Sequence, residues 1–87
     1  MDTKWFDQVI TERFGSLRQF ALAYRGPDRK PVDPTVVWRK MTGERRLQLE
    51  DIREIARLLD ESPVEVAIRA GLFSAADVQF WLKASRV

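Results

Sequence analysis

The chain is punctuated as a succession of short helices, and this punctuation restricts it to an all-α fold. Glycines at positions 15, 43 and 71 each follow an apolar segment of helical spacing, where a residue tolerant of positive φ ends a helix. Start signals alternate with them: Asp2 or Thr3, Ser16 with Gln19, Asp33 with Pro34, Ser62 with Pro63 and Glu65, and Ser74 with Asp77. A short oxygen-bearing side chain at each of these positions accepts an amide that the first turn leaves without a partner, and proline at the first helical position loses no hydrogen bond there.

Between these marks the apolar residues recur every three or four positions. Trp5, Phe6, Val9, Ile10 and Phe14 predict a first helix; Phe20, Ala21 and Tyr24 form the buried face of a short second one. The third is expected over 34–42, through Val36, Val37, Trp38 and Met41, with Trp38 expected to pack in the core or under the preceding loop in preference to facing a ligand. Leu49, Ile52, Ile55, Ala56, Leu58 and Leu59 predict a fourth helix whose opposite side carries Glu50, Asp51, Arg53, Glu54 and Arg57. In the fifth, Val64, Ala67 and Ile68 are expected to point inward. A last stripe of Val78, Trp81 and Leu82 predicts a terminal helix over 74–87, after a domain over 1–73. The one long break, Arg25 to Val32, holds Gly26, Pro27 and Pro31 and is expected to have no regular structure.

At 87 residues the chain can build a single core, and it has enough apolar side chains (45%) to do so without staples. It contains neither cysteine nor histidine, which removes disulfides, thiolate nucleophiles, the usual zinc ligands and the commonest general base. No catalytic residue, cofactor, metal or small-molecule substrate is expected. Asp and Glu fall on charged helix faces, so the expectation is a protein that is not an enzyme. With no leader-like segment and no run of about 18 apolar residues, a cytoplasmic location is expected and no membrane.

Charge is segregated along the chain. Nine basic residues against three acidic ones between Arg13 and Arg46 give +6; from Leu47 to Leu82 three basic residues against seven acidic ones give −4. If the first segment forms one face, its field suits a polyanion; the alternative is a set of solvated helix surfaces.

The run Val32 to Leu49, with Gly43 followed by Arg45 and Arg46 and then the Leu/Ile/Ala pattern to Leu59, resembles the second half of the Cro and lambda-repressor type helix-turn-helix family. Ser16-Leu17-Arg18-Gln19-Phe20-Ala21 resembles that family's second helix, and Asp60 to Val66 its entry into a fifth. The resemblance covers residues 5 to 70 and implies a five-helix lambda-repressor-like domain, here followed by a C-terminal helix. Two features depart from the pattern. The connection between the second and third helices is about six residues longer than the family's tight turn, and Leu17, Val36 and Trp38 are apolar where members often carry hydrogen-bonding side chains.

What the resemblance implies is a sequence-specific regulator of transcription, a repressor in most such cases, that inserts helix 34–42 into the major groove of double-stranded DNA. Thr35, Val36 and Arg39 match the base-reading positions, with Pro34 beside them. Ser16, Arg18, Thr42, Arg45 and Arg46 are the candidate phosphate contacts, joined by Arg29 and Lys30 of the long loop. Such repressors bind as homodimers, for which Phe73, Val78, Trp81 and Leu82 are the candidate surface. The competing expectation is a protein-interaction module, antitoxin-like or a regulatory partner, that uses the same fold.

Overall fold

Among the described residues each start signal acts within four residues of itself. The computed structural model describes residues 1–72, in which five helices follow one another: α1 (Thr3–Phe14), α2 (Leu17–Ala23), α3 (Pro34–Met41), α4 (Leu49–Leu59) and α5 (Pro63–Arg69). Asp2 Oδ1 accepts the amide of Trp5, Ser16 Oγ that of Gln19, Asp33 Oδ1 that of Thr35 and Ser62 Oγ that of Val64. Gly43 adopts φ 86°, which lets the chain reverse after α3 so that the amides of Glu44 and Arg45 both return to the carbonyl of Arg39. The predicted terminal helix over 74–87 lies outside the described residues. Among those that are described there is no strand, and no helix is long and apolar enough to cross a membrane.

Helix α1 packs on α2 and α4, α2 on α3, and α4 on α5. Phe6, Ile10, Phe20, Val37, Ile55, Leu59 and Val66 are wholly enclosed where these helices meet, each side chain contributing roughly 1.5 to 3 kcal/mol relative to exposure. Phe14, Phe20 and Tyr24 continue that core as edge-to-face aromatic pairs, the first between α1 and α2 and the second along α2 to its C-cap. The ends of the fold are tied together. Asp2 caps α1 and also accepts from Arg69 at 3.1 Å, while the Arg69 guanidinium lies 5.3 Å from the ring centroid of Trp5.

Four expectations need correction. Leu49 is 63% exposed, because as the first residue of α4 it precedes the turn that meets the core; Leu47, just before the Gln48 cap, is buried in its place, and so is Ile52. Val64 is 41% exposed and Val66 is enclosed, since a seven-residue helix has too few turns for apolar spacing to settle its phase. Asp51 and Glu54, expected on the solvent side of α4, are buried. The long connection is also more regular than expected.

That connection closes on itself. Arg25 and Pro31 form an antiparallel bridge, the Gly26 amide donates to the Lys30 carbonyl, and the Arg29 amide donates to the Gly26 carbonyl, with Arg29 at φ 66°. Counted across the bridge, the path from Ala23 to Pro34 shortens to Tyr24, Arg25, Pro31, Val32 and Asp33. The extra residues are extruded from the path, so α2 and α3 still pack together despite the insertion.

Candidate functional site

The residues singled out in α3 divide between two sides of the helix. Thr35, Trp38, Arg39 and Thr42, spaced three, four and seven positions from the first, are all exposed; Pro34 is exposed beside them. Val37 and Met41 face the core. Val36 is half-buried and only partly available to a ligand, which corrects its expected place on the outward stripe. Trp38 corrects the expectation in the other direction. Its side is the solvent side, 48% exposed, where it shares a groove with Leu17, Arg18 and Ala21 of α2 and Pro34 and Thr35 of α3.

Lys40, part of the basic segment, does not contribute to that surface. Its ammonium donates to Asp51 Oδ1 at 2.6 Å, the hydroxyl of Tyr24 donates to the same oxygen at 2.5 Å, and Oδ2 accepts the Gln48 amide at 2.8 Å. One carboxylate thus joins the end of α2, the last turn of α3 and the start of α4. Burial alone pushes the Asp51 carboxyl up, but Lys40, Tyr24 and the Gln48 amide outweigh it and hold the group below its ordinary value. Burial, followed by the hydrogen bond to Asp51, drives the Tyr24 phenol up, so it stays a donor at every ordinary pH.

Glu54 does the same for the loop. It accepts the Arg25 amide at 2.8 Å and a bidentate pair of 2.8 Å bonds from Arg57. Burial raises its carboxyl, while Arg57 and the Arg25 amide lower it to a net value below the ordinary one. The Arg25 guanidinium caps the end of α2 through the carbonyls of Leu22 and Tyr24. Two buried carboxylates with depressed values contribute stability that is complete above the ordinary carboxylate range and is lost progressively as pH falls from that range through their depressed values. Because the chain has no histidine, the urea midpoint is expected to be level between about pH 5 and 8 and to fall steeply below about pH 4.5. A profile equally steep in the Asp51→Asn variant would assign the loss to other groups.

The candidate phosphate contacts occupy distinct places. Arg18 lines the α2–α3 groove, Arg45 and Arg46 follow the turn at Gly43, and all three are exposed. Among the described residues none of these, nor Arg29 or Lys30, has a carboxylate within 4.0 Å. Arg39 and Glu44 stand 3.9 Å apart with both side chains about half exposed, a pairing of little net value. Ser16 Oγ is already the cap of α2, and the Thr42 hydroxyl donates back to the Arg39 carbonyl at 3.2 Å, so as phosphate contacts both would have to share or exchange these bonds. Arg29 lies in a second cleft, with Arg25, Glu50, Arg53, Glu54 and Arg57, between the loop and α4 and away from the groove. Lys30 is exposed on the same loop. Phe73, Val78, Trp81 and Leu82 lie outside the described residues.

Among the residues that line the α2–α3 groove, Trp38 is the one that sequence reasoning placed wrongly. The available signal was its spacing, since it sits three residues after Thr35 and four before Thr42. Comparison with protein-family models, with curated proteins and with solved structures found no match.

Proposed function

We propose that this chain is a sequence-specific double-stranded DNA-binding regulator of transcription, of the helix-turn-helix kind, that presents α3 to the major groove. The observation that carries the reading is the exposed surface formed by α2, α3 and the following turn. On it Thr35, Trp38, Arg39 and Thr42 face outward, flanked by Arg18, Arg45 and Arg46, with Glu44 the acidic neighbour of Arg39. An α-helix fits the major groove, and cations on both sides of it would meet phosphates of the two strands. Asp51 supports the same reading, because it neutralises Lys40 and locks α2, α3 and α4 in one arrangement, as a rigid reader of base edges requires. The repressor role is the one that the resemblance implies, and a symmetric dimer is proposed because one module buries little DNA surface and pairing two doubles it.

The test is a titration against random-sequence duplex DNA and against sequences enriched from it, at two salt concentrations. Three phosphate contacts per protomer, six in the dimer, give log K falling with log salt at a slope of about −5. Binding that ignores salt, or no binding at all, overturns the proposal. One observation favours a second reading as a protein-interaction module: Leu22 of α2 is 50% exposed, so with Trp38 the α2–α3 side carries apolar as well as basic surface. Failure of the titration would transfer this surface to a protein partner.

A further inference from the structure

We infer that the groove between α2 and α3 is a subsite for the C5 methyl group of thymine, with Trp38 as its principal wall. The inference rests on the DNA-binding reading and specifies which base feature that surface selects. The groove is lined by Leu17, Arg18, Ala21, Pro34, Thr35 and Trp38. Four of these are apolar by nature, Thr35 adds a methyl group, and Arg18 is the one charge.

The α3 backbone offers no free donor to a polar base edge there, and the side-chain donors are limited to the Arg18 guanidinium, the Thr35 hydroxyl and the Trp38 indole N–H. Pro34 has no amide hydrogen, and the Thr35 amide is already given to Asp33 Oδ1 at 2.8 Å. Setting a base-edge amine or carbonyl against the purely apolar part of the wall, Leu17, Ala21 and Pro34, would remove it from water without a partner, which is unfavourable. Of the groups that base pairs expose in the major groove, the thymine methyl alone is apolar and gains from the contact.

Charge decides in favour of DNA over an apolar protein segment as the occupant. Arg18 lines the groove and no acidic side chain does; Arg39 on α3 and Arg45 and Arg46 after it are exposed, against Asp33 and Glu44 as exposed acidic neighbours, so basic residues prevail. A duplex that brings its phosphates to these arginines brings its base edges to α3. Trp38 lies on the helix face shared by Thr35 and Thr42, and its 48% exposure leaves indole surface to be covered. Arg39, next to it, then reads a neighbouring base through hydrogen bonds while Trp38 reads shape.

The experiment enriches a random duplex library on the wild-type protein, then synthesises the best sequence twice, once with thymine and once with uracil in its place. The two duplexes differ only by the C5 methyls. Wild type is expected to bind the uracil form about fourfold more weakly for each methyl that the groove covers. Trp38→Ala should bind both forms equally, at about the level that wild type shows for the uracil form, and Trp38→Phe should recover part of the preference. Circular dichroism verifies that each variant is folded. No enrichment from the library would overturn the DNA reading and this inference with it. Enrichment with equal binding of the two duplexes by wild type would overturn the inference and leave the DNA reading standing, as would a thymine preference that survives in Trp38→Ala.

Discussion

Replacing Asp51 by alanine is expected to destabilise the fold by about 3 kcal/mol, read as a lower urea midpoint at unchanged slope. The change strands three donors at once. The Tyr24 hydroxyl, in a residue only 2% exposed, loses its acceptor, and an unpartnered buried donor costs about 1 to 3 kcal/mol. Lys40 keeps its charge and loses its counter-ion, and the Gln48 amide loses its cap. Removing one member of a fully buried ion pair costs about 3 to 5 kcal/mol. The Lys40 side chain retains 20% exposure and can turn toward water, which keeps the expected loss at the lower end of that range. For a domain of this size the melting temperature should fall by more than about 10 °C. Asp51→Asn, which keeps an acceptor for Tyr24, should lose less. A loss below about 1 kcal/mol for the alanine variant would mean that the carboxylate is effectively solvated and does not lock α2, α3 and α4 together.

The second large effect concerns recognition. Arg39→Ala is expected to weaken binding to the enriched duplex by about 10- to 100-fold while leaving binding to random DNA nearly unchanged, because a bidentate arginine contact to guanine is worth about 1 to 3 kcal/mol of discrimination. Stability should not change measurably, since the side chain is half exposed and its sole carboxylate neighbour among the described residues stands at 3.9 Å. The double variant Arg45→Ala, Arg46→Ala should behave in the opposite way. It is expected to weaken all duplexes alike and to reduce the salt slope of the dimer by about 4, roughly one unit for each of the four phosphates that are no longer neutralised. Equal losses on enriched and random DNA for Arg39→Ala would reassign it to the backbone. An unchanged slope in the double variant would leave Arg45 and Arg46 as solvated turn residues.

These two results would separate two roles that the sequence presents as one run of charge. Lys40 and Arg39 are adjacent and equally basic, yet one is bonded to Asp51 and the other faces solvent. About a hundred degrees of helical rotation separates neighbours in a helix, and that rotation is enough to put one against α4 and the other outside. The same rotation accounts for Trp38. Hydrophobicity argued for burial, and its position on the stripe of Thr35 and Thr42 argued for exposure; the stripe prevailed because Val37 and Met41 already fill the buried side of α3.

What the sequence determined by itself is the set of helices and most of their ends. Ser16, Asp33 and Ser62 cap the helices they were expected to cap, and Gly15, Gly43 and Gly71 take positive φ after α1, α3 and α5, because a cap is an interaction between residues two or three apart and needs nothing else. The inward faces of α1 and α2 were legible for a related reason, since aromatic residues at helical spacing have few other places to go. Tertiary structure alone decided the buried carboxylates, the diversion of Lys40, the closure of the 25–32 loop onto α4 and the exposure of Trp38. Tyr24 and Asp51 are 27 positions apart, Arg25 and Glu54 are 29, and Lys40 and Asp51 are 11. No local rule joins such pairs. A charge on an amphipathic helix reads as solvated until another helix supplies its counter-charge and donors at hydrogen-bonding distance, and that supply depends on how the helices pack.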